Sequence, residues 1–518
     1  MKNLFRLKSL EQLLRDAEHP ERRLKRSLGP LQLTFLGIGA IVGAGIFSTV
    51  GTAVAGGPDY LGAGPALVVS FVLVAIACGF AALCYAELTA MVPVSGSAYT
   101  YAYATLGQLV AWIIGWDLIL EYAVGNVAVA ISWSGYFQQL LRGLGVDFPL
   151  WLGIDYRSAA QAARDVAAAA NGVSPDAVTI HAAQAWADAP RLFLVPLVFN
   201  LPAFVITMLV TWVLVLGIRE SAGFNTVMVA VKLAFVLFFL VVGAFYVKPE
   251  NWTPFAPNGF AGISSAAAVI FFAYIGFDAI STAAEETRDP QRNLPIGILA
   301  SLVICTLIYV AVAVVLTGLM PWRQLGTAEP LATAFAARGL NWTAGVMSFG
   351  AVLATTSVLL VFQLGQVRIF FSMARDGLLP PWAARVHPRY RTPHVNTIIA
   401  GVAVGVVAGC TNIKEVVELC NIGTLFAFVI VAVSILILRR THPDWPRPFR
   451  VPLFPWVPLA AILTSGYLML ELPALTWKWF VGWLVVGLGL YFCYGHWRAG
   501  KESTVQSSQF KAPNPPSS

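Results

Sequence analysis

Few residues in this chain could do chemistry, and those few lie where water is scarce. Gly37, Gly39, Gly43 and Gly45 crowd the stretch GIGAIVGAGIF; Gly276 and Asp278 interrupt the bulky run FFAYIGFDAI; Lys232, Asp117 and Glu121 sit inside apolar surroundings. Glycine weakens a helix by roughly 1 kcal/mol relative to alanine, and an ionisable side chain deep in a membrane span costs roughly 2.5 to 3.5 kcal/mol on insertion scales. Each therefore needs a reason. Gly39 and Gly43 form a GxxxG pair, which lets neighbouring helices approach closely. The alternative is a helix broken near the bilayer midplane, as in transporters built from inverted repeats. Such a break frees backbone groups: half-helix N–H groups face an anion, and unpaired carbonyls accept from a cation. A zwitterion such as an amino acid carries both charges on adjacent atoms. The sixth apolar run opens the second half of a ten-span unit as the first opens the first half, and this correspondence favours the break.

The elements that must hold these residues are membrane helices. Of 518 residues, 58% are hydrophobic and 11% charged, far from the balance of a soluble domain. Apolar runs long enough to cross about 30 Å of hydrocarbon fall at residues 33–55, 65–86, 98–122, 193–216, 225–247, 262–284, 295–318, 343–371, 396–410, 420–438, 455–472 and 477–495, the third extending towards residue 137. With the amino terminus inside, 23 of the 33 Lys and Arg lie on the cytoplasmic side and nine on the other, so the positive-inside rule puts both termini in the cytoplasm. The net charge of +7 follows from that topology, and no nucleic-acid partner is implied.

Residues 1–30 read as a basic, amphipathic segment with Leu4, Leu7, Leu10 and Leu14 on one side, lying at the interface. Residues 31–496 form the transmembrane domain. An insertion at about 141–190 is too polar to span and is expected to form two short surface helices, with Ser174-Pro175 starting the second; residues 497–518 read as a disordered tail. The six cysteines have no metal-like spacing, the six histidines fall in loops or at span ends, and GHWRAGKE (495–502) has Glu502 where a phosphate-binding loop needs Ser or Thr. No metal or cofactor is expected. A membrane-embedded enzyme would want clustered His, Asp or nucleophilic Ser near one interface, which the sequence lacks; a channel or non-transporting sensor is the other rival.

Five stretches carry a resemblance: GIGAIVGAGIF, YAELTAMVPVSGSAYTYAYATLGQLVAWIIGWDLILEY, IRESAGFNTVMVAVK, FFAYIGFDAISTAAEETRDPQRNLPIGI and GQVRIFFSMARDGLLP. Together they closely resemble the amino acid, polyamine and organocation transporter superfamily, and within it the bacterial twelve-span cationic amino acid transporters. The resemblance implies an all-α polytopic membrane protein: a five-plus-five inverted repeat with discontinuous helices 1 and 6, then two additional carboxy-terminal helices. It implies a secondary active transporter in a bacterial inner membrane, a monomer or weak oligomer, taking amino acids by alternating access with protons as coupling ion; exchange is the alternative. The substrate carboxylate would rest on N–H groups around Gly43, Ala44 and Gly45, where Ala44 replaces the Thr or Ser of many relatives. The α-amino group would meet carbonyls of Ile41, Phe272, Ala273 and Ile275.

Among the charges, Lys232 lies about eight residues into the fifth run. It either snorkels to the interface or, as in similar transporters, occupies the place of a coupling ion near the first and eighth helices. Asp117 and Glu121 share one face of the third helix. Asp117 is either functional or a structural group bonded to Tyr or Trp, and Glu121 aligns with the side-chain end of the substrate pocket. In the eighth run, Thr355, Thr356, Phe362 and Gln363 would line that pocket or simply pack. Asp278 caps or pairs near the break. Glu285 and Glu286 form a cytoplasmic gate or a wetted helix end, and salt bridges are expected around Arg219-Glu220, Arg288-Asp289 and Arg375-Asp376.

Overall fold

The computed structural model describes residues 28–57, 60–94, 97–169, 177–193, 195–217, 222–390 and 392–495. The amino-terminal amphipathic segment, the Ser174-Pro175 helix start, Arg219-Glu220, the GHWRAGKE stretch beyond Gly495 and the tail lie outside the described residues.

Twelve apolar helical segments are present among them, numbered here as spans in chain order. Nine are long and apolar enough to cross a membrane when the bent first pair is counted as one, and three are shorter apolar helices, Leu201–Leu216, His394–Cys410 and Trp456–Leu470. The rest are the first span, Pro30–Ile41 with Gly45–Ala55; the second, Gly64–Met91; the third, Gln108–Gly143; the fifth, Ala222–Ala244; the sixth, Gly259–Glu286; the seventh, Pro290–Leu319; the eighth, Asn341–Arg375; the tenth, Ile413–Thr441; and the twelfth, Ala474–Gly495. The second span packs on the seventh, the third on the eighth and the fourth on the ninth. The first span likewise meets the sixth, so four of the first five spans meet the span five places later, a pattern in keeping with an inverted repeat.

Two boundaries differ from the sequence reading. The run expected at 98–122 is a short helix, Ser97–Thr105, followed by the third span; Gly107, at φ +94°, turns the chain between them. The fourth span starts at Leu201, not near 193, because Arg191–Leu192 and Val195–Pro196 pair as a small hairpin and Asn200 caps the helix by accepting from Ala203 N–H. The insertion folds into two helices, Tyr156–Ala169 and Ala177–Asp188, which pack on each other and bury Ala159, Ala189 and Val198. Arg157 pairs with Glu415 and so ties the insertion to the start of the tenth span. We call this side of the molecule the insertion face.

The first span begins cleanly and ends early. Pro30 occupies the first turn, and Gly29 N–H donates to Gln32 Oε1 at 3.0 Å. At Val42 the backbone turns extended (φ −77°, ψ 95°), and the second half restarts in a wide π-helical turn, Gly45–Thr49. The two halves differ in direction by 42°. The sixth span runs α-helical to Ile270, tightens into a 3₁₀ turn at Phe271–Tyr274, turns extended at Ile275 and resumes as a 3₁₀ helix, Asp278–Glu286. Gly276 sits at φ +119°, a conformation open only to glycine at low cost.

Candidate functional site

The two breaks lie against each other. A Cβ on Gly276 would come within 2.9 Å of the Ala40 carbonyl carbon, and a Cβ on Gly45 would run into the Ala273 backbone. Each glycine thus admits the other span's main chain, and packing and breaking turn out to be one device. Of the other glycines of the opening stretch, Gly43 meets Val358 of the eighth span, and Gly37, outside the GxxxG pair, meets Ile280 and Ser301.

The freed carbonyls have identifiable partners. Lys232 is buried, and its Nζ donates to Gly39 O at 2.8 Å and Val42 O at 3.3 Å. These carbonyls end the first half-helix, where the macrodipole is negative and favours a cation. Snorkelling is therefore not what Lys232 does. Ile41 O and Ala273 O both lie 2.9 Å from the Tyr309 hydroxyl. That hydroxyl, from the seventh span, bridges the two breaks, and its ring packs against Phe71 and Tyr274. A carbonyl has a second lone pair, so both oxygens keep acceptor capacity. Phe272 O accepts from Ile275 N–H at 3.4 Å, within the local turn. Gly43 O accepts from both Ile46 and Phe47 N–H at 3.2 Å. Gly43, Ala44 and Gly45 precede and open the second half-helix, whose first N–H groups have no intrahelical partner and point back to the break. Ala44 is buried and brings no hydroxyl. The arrangement presents donors on one side and acceptors on the other, suited to a carboxylate and an ammonium.

Around this core the side-chain expectations divide. Glu121 is buried, and its Oε2 has no hydrogen-bond partner among the described residues. Phe362 packs on Tyr122, ring centroids 5.6 Å apart, and would be touched by a Cβ on Gly125. It therefore sits beside Glu121 on the third span. Gln363 faces elsewhere: its Nε2 donates to Thr211 Oγ1 at 2.7 Å, on the fourth span, and lies against Gly401 of the ninth. One helical position separates Phe362 and Gln363, about 100° of rotation, which sends them to different neighbours. Thr355 bonds Ala351 O in its own helix, and Thr356 accepts from Trp133 Nε1 at 2.9 Å. Asp117, for which a structural bond to Tyr or Trp was one of the two alternatives, faces Gly423 of the tenth span, and neither of its carboxyl oxygens has a hydrogen-bond partner among the described residues. Asp278 opens the sixth span's second half, in the first turn where an acid is favoured.

On the face opposite the insertion, the start of the first span joins the end of the sixth: Leu28 N–H donates to Glu286 O at 3.0 Å and Arg288 N–H to Leu28 O at 2.8 Å. Glu286 approaches Arg368 at 4.0 Å, and Asp376 accepts from Tyr99 Oη at 2.8 Å. A stronger clamp was not anticipated. Glu87, fully buried on the second span, receives Arg439 Nε at 3.0 Å and Val451 N–H at 2.6 Å, with Arg447 Nε at 3.4 Å. Its partners lie more than 350 residues away in sequence. Among the described residues no group of three or more His, Cys, Asp or Glu could hold a metal ion, and all six cysteines are free thiols.

Comparison with known proteins gives the family. A family model described as amino acid permease matches residues 28–492. The chain is 46% identical over 493 residues to the branched-chain amino acid permease BcaP of Bacillus subtilis (strain 168), covering 95% of this chain and 97% of that protein. It is 43% identical over 494 residues to the methylthioribose transporter of the same organism, covering 95% and 98%. To the vacuolar cationic amino acid transporter 4 of Arabidopsis thaliana it is 34% identical over 450 residues, covering 86% and 68%. These relatives are named as permeases and transporters, and with nearly its whole length matched the chain belongs to the amino acid permease family, a multi-pass membrane transporter of the amino acid, polyamine and organocation superfamily.

Proposed function

We propose that this permease is a secondary active transporter that takes up a free neutral amino acid with a proton, by alternating access, with both termini in the cytoplasm and the insertion outside. The observation that carries the reading is the mutual contact of the two breaks, Gly45 on Ala273 and Gly276 on Ala40. It brings the half-helix donors and acceptors of both breaks, all of them main-chain groups, towards one point. A substrate held that way must offer an anion and a cation on neighbouring atoms, which a sugar does not, so an amino acid is favoured over methylthioribose. Val358, which packs against Gly43, and Phe272 at the sixth break are apolar and favour an aliphatic substrate, while the buried Glu121 beside Phe362 is the feature that would suit a polar or basic side chain instead. Lys232 supplies the proton site: it is a single buried amine whose bonds tie the fifth span to the first, so a change in its charge would alter the hold of one span on the other.

The test is uptake of radiolabelled leucine into proteoliposomes with and without an imposed gradient, inside alkaline. Coupled transport accumulates label above equilibrium and collapses with a protonophore. An exchanger would ignore the gradient and need internal substrate, which would replace the coupling part of the proposal. Unlabelled arginine and methylthioribose as competitors test the substrate class: strong competition by either would overturn the aliphatic assignment.

A further inference from the structure

We infer that Lys414 and Glu418, one turn apart on the tenth span, form a reception site on the insertion face that engages the two charges of the amino acid before it reaches the breaks. The inference rests on the proposed function and orientation above.

A crevice opens on that face between three elements. It is lined by Thr49 and Thr52 of the first span's second half, Val269 of the sixth span's first half, and Ile413, Lys414, Val417 and Glu418 of the tenth. Its free volume is about 10 Å³, the space of roughly one water. An amino acid cannot pass until the walls part. The walls are the outer halves of the same two spans whose breaks are described above, so the crevice lies on the line from the insertion face to the breaks. Three residues beyond Glu418, Asn421 Nδ2 donates to Ala268 O at 2.7 Å and Val269 O at 3.2 Å. Those bonds pin the tenth span to the last turns before the sixth break.

Positions 414, 418 and 421 fall at i, i+4 and i+7, one stripe of the helix. The stripe therefore presents, in order along the helix, a cation, an anion and an amide. Lys414 holds its ammonium 4.7 Å from the centroid of the Tyr60 ring, on the loop joining the first two spans. Glu418 is 6% exposed and accepts from Thr476 Oγ1 at 2.9 Å, on the twelfth span. Its neighbour Glu415 turns the other way, to Arg157 of the insertion. Residues at i and i+4 are neighbours on one helix face, with Cβ atoms about 5 to 6 Å apart, so the two side chains present opposite charges close enough together to meet the carboxylate and ammonium of one zwitterion. Lys414 would take the carboxylate and Glu418 the ammonium.

The test separates the two faces of the membrane. Lys414→Gln and Glu418→Gln are each compared with the unaltered protein for leucine KM from the insertion face and from the opposite face, in vesicles of defined orientation. Each variant should raise the KM on the insertion face about fivefold, the scale of one partly solvated charge contact, and leave the KM on the other face as it was. Two probes assign the charges. Leucinamide, which lacks the carboxylate, should lose its inhibition in Glu418→Gln but not in Lys414→Gln; 4-methylpentanoate, which lacks the ammonium, should behave in the reverse way. Equal shifts at both faces, unchanged KM, or inhibition by both probes altered alike would overturn the reception site. Failure of the functional reading looks different: the unaltered protein would then take up no leucine at all.

Discussion

The first and sixth spans break by the same backbone device but are held by opposite means. At the first break a side-chain cation caps the ending half-helix, Lys232 on Gly39 O and Val42 O. At the sixth, a glycine at φ +119° makes the turn and an acid, Asp278, opens the half-helix that follows. The macrodipole accounts for the choice, since carbonyl ends attract positive charge and N–H ends negative. The difference lies in how completely each is sealed. Lys232 satisfies both carbonyls it faces, whereas Asp278 Oδ1 has no hydrogen-bond partner among the described residues. The first break is thus a locked joint whose key is a titratable amine, and the sixth is a loose one. Tyr309 couples them, because its hydroxyl lies 2.9 Å from a carbonyl of each.

The largest effect should come from removing the key. Lys232→Met leaves the Gly39 and Val42 carbonyls buried without that donor, at a cost of about 1 to 3 kcal/mol for each unsatisfied group. The methionine still fills the apolar space, so the folded protein should elute as a single species on size exclusion. Uptake in proteoliposomes should lose its response to the pH gradient altogether. A gradient response like that of the unaltered protein would remove Lys232 from the mechanism and make the first break no different from the sixth.

Tyr309→Phe sharpens the comparison more gently. It deletes one hydroxyl and keeps the ring stack on Phe71 and Tyr274. Loss of a single net hydrogen bond is worth about 0.5 to 1.5 kcal/mol, or up to roughly tenfold in affinity. Leucine binding, read by scintillation proximity, should weaken while the gradient response survives, because Lys232 keeps its own carbonyls. If binding is unaffected, the two breaks are held independently and the coupling drawn here between them fails.

Much of this was legible in the chain, for reasons that also show where legibility stops. The spans declare themselves by apolar length. The breaks declare themselves by glycine among bulky residues, GIGAIVGAGIF and FFAYIGFDAI, and Lys232 by the cost of its depth. Tyr309 gave no such signal, since a tyrosine in the apolar run LIYVAVAVV is unremarkable until the seventh span is seen to cross both breaks. Glu87 was hidden differently. It stood in a quoted motif, YAELTAM, but its meaning lies in Arg439, Arg447 and Val451, and no local pattern reports a partner that distant. Gln363 shows the opposite failure: its helix was placed correctly, yet one residue of rotation turned it to Thr211. Family likeness fixes which helix lines a site more securely than which face of it does.

The smallest effect concerns what braces the outer half of each broken span. The sixth is held there by Asn421, as described above. The first is held by the third span, through Tyr136 Oη donating to Phe47 O, and by the loop before the eighth span, where Pro330 lies against Gly51. The adjoining Glu329 lies against Gly135, where a Cβ would sit 3.4 Å from its Oε2. Burial raises the Glu329 carboxyl from 4.5 to about 7, with the Arg142 charge opposing the shift. A carboxyl raised in the folded state holds a proton that the unfolded chain has shed, so its contribution to stability is full below 4.5 and is lost as pH rises through about 7. The melting temperature followed by scanning fluorimetry from pH 5 to 8 should therefore carry a falling component that Glu329→Gln removes. The size is a degree or two, about 1 kcal/mol or less once solvent screening is allowed for. A variant that keeps the whole slope would show that this loop does not brace the first span through Glu329, and the two outer halves would then differ only in Asn421.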